Sequence, residues 1–348
     1  APELIVIGLD GATWDIIDPM IEDGELPNLA QLRESGASGP LETLAPIWSP
    51  RIWTSLATGR EPDNHGITGY YKTRADLSAA RIWDVAYNEG KSVGLVRWLV
   101  TWPPDKRFEF TIPSWLARSP ETQPPEYTFI QEFLLDESES RWAQTIRHGI
   151  FNGFRISTVV DLLRNAYSVP SDPDRLFVHH HFASVAPTVD LYRRLLREYQ
   201  PEVTCFCLYG TDQLGHRFWK YFRPEEFENV DSEKLRLYRD VIPDYYRLAD
   251  WAVGEILSVL PVQTTIIVIS DHGMGPDPAT PARYVFRIER ILAEIGSDDR
   301  FSVSFAQRRY ILHPQESTNE KEIASAREQL EEIHLLESED PVFEVEQE

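Results

Sequence analysis

Asp271 and His272 stand side by side directly behind the apolar run Thr265-Ile266-Ile267-Val268-Ile269-Ser270. A carboxylate and an imidazole at that point, followed by a glycine that lets the backbone turn away, could hold a metal ion at a strand tip. The same residues could also be a helix-capping aspartate beside a surface histidine, so one pair decides little. Two further runs end in a similar way. Leu4-Ile5-Val6-Ile7-Gly8-Leu9 leads into Asp10-Gly11, and Val203–Leu208 leads into Gly210-Thr211-Asp212, with His216 four residues beyond Asp212. One helical turn or a tight loop folds that last spacing onto a single ion. Three carboxylates and two imidazoles brought together would suffer repulsion and desolvation unless a cation joined them. His and carboxylate ligands suit zinc or manganese better than magnesium or calcium. The remaining candidate is Ser49, which opens Ser49-Pro50-Arg51-Ile52-Trp53-Thr54-Ser55-Leu56-Ala57-Thr58-Gly59. Ser at N-cap, Pro at N1 and a closing Gly make a complete helix signature. As a cap, Ser49 needs no other role. As a hydroxyl at a helix N-terminus, it lies where free backbone N–H groups and the dipole attract a phosphate.

These residues can meet only if the elements carrying them share an edge. Short, β-branched, uninterrupted apolar runs predict strands buried on both faces of a sheet. Parallel strands put their carboxyl ends on one edge, where open α/β sheets keep their ligands. The rest of the chain supplies the alternation such a sheet needs. A short helix begins at Leu26-Pro27 and can end at Gly36, and Leu41 to Leu44 reads as another strand. Arg81 to Tyr87 reads as a helix and Lys91 to Arg97 as a strand. Thr188 to Tyr199 is an amphipathic helix, and a long helical stretch runs from Ser232 to Leu260, broken near Pro243. The tail has a strand around Arg309–Leu312 and a charged helix around Glu320–Ile333. Between Trp102 and Val185 the regularity fails, with Pro-rich turns and helical pieces near Thr128–Leu135 and Arg155–Ala166. So long an irregular stretch predicts an inserted cap or lid. Its His179-His180-His181 triplet reads as a strand entering a lid loop, with successive side chains on alternate faces, in a structural or substrate-facing role rather than on a metal. The predicted architecture is an α/β three-layer sandwich with a mostly parallel central sheet. Its core is residues 1–101 and 186–348, and its cap is residues 102–185.

Composition narrows the function classes. The 348 residues carry a formal charge of −22 and no Lys/Arg-rich patch, which argues against a nucleic-acid surface. An acidic protein acting on anionic substrates needs local positive charge, and metal ions are its simplest source. Cys205 and Cys207, at i and i+2 on one strand, are too close for a relaxed disulfide and read as buried thiols. No run of 18 apolar residues occurs, so no membrane span is predicted. The chain opens almost directly on a strand with no visible signal peptide. That favours a cytoplasmic, bacterial or archaeal protein, although a mature secreted form would look the same. Oligomeric state is not readable.

The ordered motifs resemble the alkaline phosphatase superfamily, specifically its type I phosphodiesterase/nucleotide pyrophosphatase family. They are Ile7-Gly8-Leu9-Asp10-Gly11; Ser49-x3-Trp53-Thr54-x3-Thr58-Gly59-x2-Pro62-x2-His65-Gly66-Ile67; Asp212-x2-Gly215-His216; and Ser270-Asp271-His272-Gly273-Met274. The resemblance covers Leu4–Gly69 and Glu202–Gly275, extends weakly through the tail and leaves out the insert. It implies an alkaline phosphatase-like fold and a two-metal hydrolase acting on a small-molecule phosphate ester. One divalent ion, zinc or manganese, would be held by Asp10, Asp271, His272 and the Ser49 oxygen, the other by Asp212, His216 and a third His. Metal coordination would activate Ser49 as nucleophile, with a phosphoserine then hydrolysed by water.

Three departures qualify what carries over. The nucleophile is Ser49 where the family often has Thr, a chemically equivalent group. An Asn that holds a phosphate oxygen in the nucleotide pyrophosphatases is matched by Tyr70, and Arg51 could supply positive charge in its place, so both are candidate substrate-binding residues. The family's late Gly-x-His ligand does not occur before Glu348; His313 reads as part of the tail strand and His334 as a solvated helix residue. A chain cut short of that ligand would bind the second metal weakly. His65 reads as loop architecture. A sulfatase is disfavoured, because Ser49-Pro50-Arg51 stands where Cys/Ser-x-Pro-x-Arg would be required, and a mutase would set its Ser differently. A phosphomonoesterase or phosphotransferase would share every ligand. A non-catalytic relic that keeps the fold is the rival from another class, set against the retention of Asp212 and His216. The Trp- and Pro-rich insert suggests room for an apolar or aromatic leaving group.

Overall fold

The computed structural model describes residues 1–70, 72–135, 141–167, 170, 172–276, 288–306, 309–315 and 317–333. Two compact units divide the chain, Ala1–Pro278 and Ala279–Glu348. The first is built on five parallel strands: β1 (Leu4–Leu9), β2 (Val93–Val96), β3 (Phe110–Ile112), β4 (Val203–Leu208) and β5 (Thr265–Ile269), in the order β3-β2-β4-β1-β5. Its helices are α1 (Trp14–Glu22), α2 (Pro27–Ser35), α3 (Ser49–Thr58), α4 (Pro62–His65), α5 (Ile82–Asn88), α6 (Thr128–Leu135), α7 (Trp142–Phe151), α8 (Ile156–Tyr167), α9 (Pro173–Ala183), α10 (Val185–Tyr199), α11 (Gly210–Phe222), α12 (Ser232–Tyr238) and α13 (Val241–Leu257). In the second unit β6 (Phe301–Ala306) and β7 (Arg309–Pro314) pair antiparallel, beside α14 (Ile288–Glu294) and α15 (Glu320–Glu331).

Alternation along the central strands builds the three layers. Ile5, Ile7 and Leu9 of β1, with Phe206 and Leu208 of β4, join one core with residues of α1, α2, α10, α11 and α13. Val6, Cys205 and Cys207 point the other way, into a core with Trp53 and Ala57 of α3 and Trp83 of α5. The two cysteines are therefore buried free thiols on one face, and burial pushes both well above the ordinary thiol range. Gly8 sets how closely α3 approaches. A Cβ there would stand 2.6 Å from the Trp53 ring and 2.8 Å from Cys207 Sγ, so only glycine lets the indole come this close to β1. Gly8→Ala is expected to cost about 1–3 kcal/mol by overpacking. It should also lower turnover, because it displaces the helix that begins at Ser49; thermal melts and kinetics on the same preparation check both.

Four expectations need correction. Leu41–Leu44 is not a strand: β1, β2 and β4 already have two neighbours each, and Leu41 is left exposed. β5 is not buried on both faces. It is an edge strand among the described residues, and Ile267 is 41% exposed. His179–His181 lie in α9, not in a strand, with Asp172 accepting from the Arg175 N–H as N-cap and Pro173 at the first turn. The helical break expected at Pro243 falls between α12 and α13 instead, because proline is tolerated in a helix's first turn, where it sits in α13. In the second unit His313 belongs to β7. His334 and the expected final strand lie outside the described residues.

Candidate metal centre

Register brings the candidates together. Gly8 pairs with Ile269 and Leu9 with Leu208, so Asp10 and Asp271 leave the sheet side by side and Asp212 follows from the adjacent strand. Asp10 and Asp271 are each 1% exposed, and with His272 they offer ligand atoms all within 4.8 Å of one another. Asp212 lies in the first turn of α11, with His216 one turn on; His216 Nε2 is 3.2 Å from Asp212 Oδ1 and its side chain is 54% exposed. The residues therefore form a tight buried trio and a more open pair, bridged by the 3.8 Å from His272 Nε2 to Asp212 Oδ1. Gly11 allows this closeness. Its φ is +66°, and a Cβ would fall 2.9 Å from Asp212 Cβ, while its N–H donates to Asp271 Oδ1 at 3.3 Å. Gly11→Ala is expected to weaken metal binding by at least about tenfold, since it strains the turn and pushes Asp212 aside together; calorimetric titration of zinc checks this.

The chemistry of His272 is fixed by its far nitrogen. Nδ1 lies 2.8 Å from the Gly273 carbonyl oxygen, which can only accept, so Nδ1 carries a proton and Nε2 is the nitrogen turned to the carboxylates. Around Nε2 stand Ser49 Oγ at 3.4 Å, Asp271 Oδ2 at 3.5 Å, and Asp10 Oδ1 and Asp212 Oδ1 at 3.8 Å. Carboxylates this close repel each other, and no Lys or Arg among the described residues forms an ion pair with them. Burial pushes Asp10 well above the carboxylate range, with Asp271 and Asp212 adding to the rise. Burial likewise takes Asp271 to about 7. Asp271 Oδ2 and Asp212 Oδ1 are buried and make no hydrogen bond, though His216 Nε2 stands 3.2 Å from the latter. Unbonded carboxylate oxygens, an imidazole nitrogen turned to them and no paired Lys or Arg among the described residues together fit a divalent cation.

Ser49 is the first residue of α3, not its cap: Trp48 holds that position, and no side chain makes a capping bond. Pro50 has no N–H, and the Arg51 and Ile52 N–H groups bond to the Trp48 carbonyl, so this helix start offers fewer donors to a phosphate than its sequence suggests. Arg51 donates to the Pro46 carbonyl at 2.7 Å and lies over the Trp48 ring. Tyr70 packs its ring 6.2 Å from the same Trp48. Both sit on an exposed aromatic lip beside Ser49 rather than against the carboxylates. His65 is buried, accepts from the Ile67 N–H at 3.1 Å and meets Ser55 Oγ at 3.0 Å, as expected of loop architecture. Trp53 was readable only as a core residue, yet its Nε1 donates to Asp10 Oδ1 at 3.2 Å; its place four residues after Ser49 was the available signal. In α9, His181 Nε2 reaches Gln213 Oε1 at 2.5 Å, next to Asp212, and buried His180 is pushed down to about 3 by desolvation.

Carboxylates and an imidazole are thus gathered at the carboxyl ends of parallel strands, beside the start of α3. The chain belongs to the type I phosphodiesterase/nucleotide pyrophosphatase family, whose model matches residues 4–347, including the segment between the sequence motifs. No curated protein matches it. Two similar solved structures are of phosphonoacetate hydrolase from Sinorhizobium meliloti 1021, in complex with phosphonoformate and with phosphonoacetate. They are 17% and 18% identical, with TM-scores of 0.46 and 0.45, and each match covers 95% of this chain and 74% of that one. Among the described residues no helix is long and apolar enough to cross a membrane.

Proposed function

We propose that the protein is a metal-dependent phosphodiesterase that cleaves a small-molecule phosphate ester through Ser49. The observation that carries this reading is the convergence of three carboxylates and the serine hydroxyl on His272 Nε2. A metal-free serine triad would place its acid on the other ring nitrogen, where a backbone carbonyl stands instead. Asp10, Asp271, His272 and the Ser49 oxygen would hold one ion, and Asp212 with His216 a second. Zinc fits the donor set best, with manganese next. Bound there, the ions would supply the positive charge that acidifies a serine hydroxyl and offsets charge on phosphoryl oxygens. Ser49 Oγ gives up its proton and forms the new bond to phosphorus as the bond to one alkoxide breaks, and that alkoxide leaves as the alcohol; water then cleaves the seryl phosphate ester, which releases the remaining phosphate monoester and returns the proton to Ser49. Trp53 holds Asp10, and the Gly273 carbonyl holds His272 in the tautomer that faces the substrate. Arg51 and Tyr70, with Trp48, would meet the leaving group at the lip. Residues 102–185 would act as the cap, a role supported by the contact of His181 with Gln213 beside Asp212.

The test is hydrolysis of bis(p-nitrophenyl) phosphate against p-nitrophenyl phosphate by metal-stripped protein, with zinc or manganese restored. Metal-dependent turnover that favours the diester is the expected result. Preference for the monoester would make the protein a phosphomonoesterase on the same site. Metal binding without turnover of either ester would overturn the catalytic reading.

A further inference from the structure

A second charged group stands on the same sheet edge and the proposed chemistry leaves it unused. Arg97 follows β2, whose Val96 pairs with Phe206 of β4, so it leaves the sheet level with Cys207. Two strand spacings, about 10 Å, separate it from Gly8 of β1, two residues before Asp10. Arg97 is only 9% exposed. Its side chain forms no hydrogen bond or ion pair among the described residues, and Nε is buried without an acceptor.

Arg81 shows how this fold accommodates a structural arginine. At 3% exposed, it bonds Asp84 at 2.8 Å through Nε and the Val100 carbonyl at 3.1 Å through Nη1. Among the described residues Arg97 has only the face of the Tyr209 ring, 5.3 Å from its guanidinium carbon. A ring face returns a fraction of what a guanidinium loses on leaving water. The backbone holds Arg97 in this place at a cost. Its φ is +61°, and Val100, a β-branched residue in the same turn, has φ +58°. The turn is fixed from both sides: the Arg97 N–H donates to the Ile112 carbonyl at 2.6 Å, and the Tyr209 hydroxyl donates to the Arg97 carbonyl. Strain held this firmly marks a positioned side chain. Its charge acts on His180, Cys207, Tyr209 and Tyr245, none of which is an anion at neutral pH.

We infer that Arg97 recognises a second anionic group of the substrate, a carboxylate or phosphate carried about 10 Å from the scissile phosphorus. The inference rests on the reading of the metal centre as a phosphodiesterase site. It narrows the substrate class to phosphodiesters with a further negative charge. The anion supplies the two acceptors that the planar guanidinium lacks, and the surrounding tyrosines and His180 exclude water from the pair.

The experiment compares 6-carboxyhexyl p-nitrophenyl phosphate, whose extended chain spans the separation, with its neutral isostere 7-hydroxyheptyl p-nitrophenyl phosphate, as the ratio of their kcat/KM values, in zinc-loaded wild type, Arg97→Met and Arg97→Lys. Wild type should prefer the carboxylate at least tenfold, Arg97→Met should bring the ratio to near one, and Arg97→Lys should keep part of it. A ratio near one in wild type, or an undiminished ratio in Arg97→Met, would overturn the assignment. If neither ester is turned over, the phosphodiesterase reading has failed, and Arg97 is then tested by binding alone. Metal-stripped wild type should be stabilised in thermal melts by millimolar inorganic phosphate, and Arg97→Met should not. Equal stabilisation of both, or of neither, would refute the anion site. Should Arg97→Met not fold, Arg97→Lys answers in its place, with an unchanged ratio and an unchanged phosphate response overturning the proposal.

Discussion

Replacing Ser49 with alanine is expected to lower phosphoester turnover by at least about 10³-fold while leaving the melting temperature close to that of the wild type. The two roles open to Ser49 in the sequence make opposite predictions. A capping serine would cost about 1 kcal/mol when truncated and leave the chemistry largely intact. A nucleophile would cost the chemistry and almost no stability. Trp48 is the cap of α3 and Ser49 Oγ makes no capping bond, which favours the second prediction. The Ser49 oxygen lies 3.4 Å from Nε2 of His272. Truncation removes one buried oxygen from a helix whose start is still set by Pro50 and whose end is closed by Gly59 at φ +62°. Steady-state kinetics and a thermal melt on one preparation decide the matter. A variant that loses stability but keeps turnover would return Ser49 to a structural role.

The strand ends were legible in the sequence because a fully buried parallel strand leaves little freedom in composition. β1 and β4 match their predicted bounds, and Asp10 and Asp212 follow from them. The grouping of Asp271 with Asp10 follows from parallel register alone. What sequence could not supply was the environment that selects between equally good local patterns. Leu41–Leu44 has a strand's composition and no partner. The apolar run before Asp271 is as buried-looking as β1, yet it lies at an edge. His179–His181 could alternate on a strand or wind on a helix, and Pro173 behind Asp172 settled it as α9. The role of Trp53 was hidden for another reason. A tryptophan at helical spacing reads as core, and whether its one polar atom meets a carboxylate depends on Gly8, a residue of a different element. The tautomer of His272 depends on a backbone carbonyl one residue away, which no residue type encodes.

Without metal, the centre is expected to destabilise the fold as pH rises, and Asp271→Asn should relieve this. Burial holds Asp271 near 7 in the folded protein, well above the range of an unfolded aspartate, and pushes Asp10 in the same direction. A carboxyl raised on folding binds its proton more tightly in the native state. Its stabilising contribution is therefore complete below about pH 4 and is lost as pH climbs to about 7. For Asp271 the loss is on the order of 4 kcal/mol. A pH scan of wild type alone would blur this, because His180 has the opposite sign. Held down to about 3 by burial, it contributes stability that is lost as pH falls below about 6.5. The informative quantity is the difference in unfolding free energy between Asp271→Asn and wild type, both metal-free, at each pH. That difference should favour the variant increasingly between about pH 4 and 7 and level off above, since His180 is common to both. Adding zinc at pH 8 should reverse the order: the wild type gains by binding, and the variant has lost a charged ligand. The amide can still accept from the Gly11 N–H, so a purely structural aspartate would show neither the pH trend nor the reversal. A metal-free variant less stable than wild type at pH 8 would mean that Asp271 serves the turn at Gly11 rather than a cation.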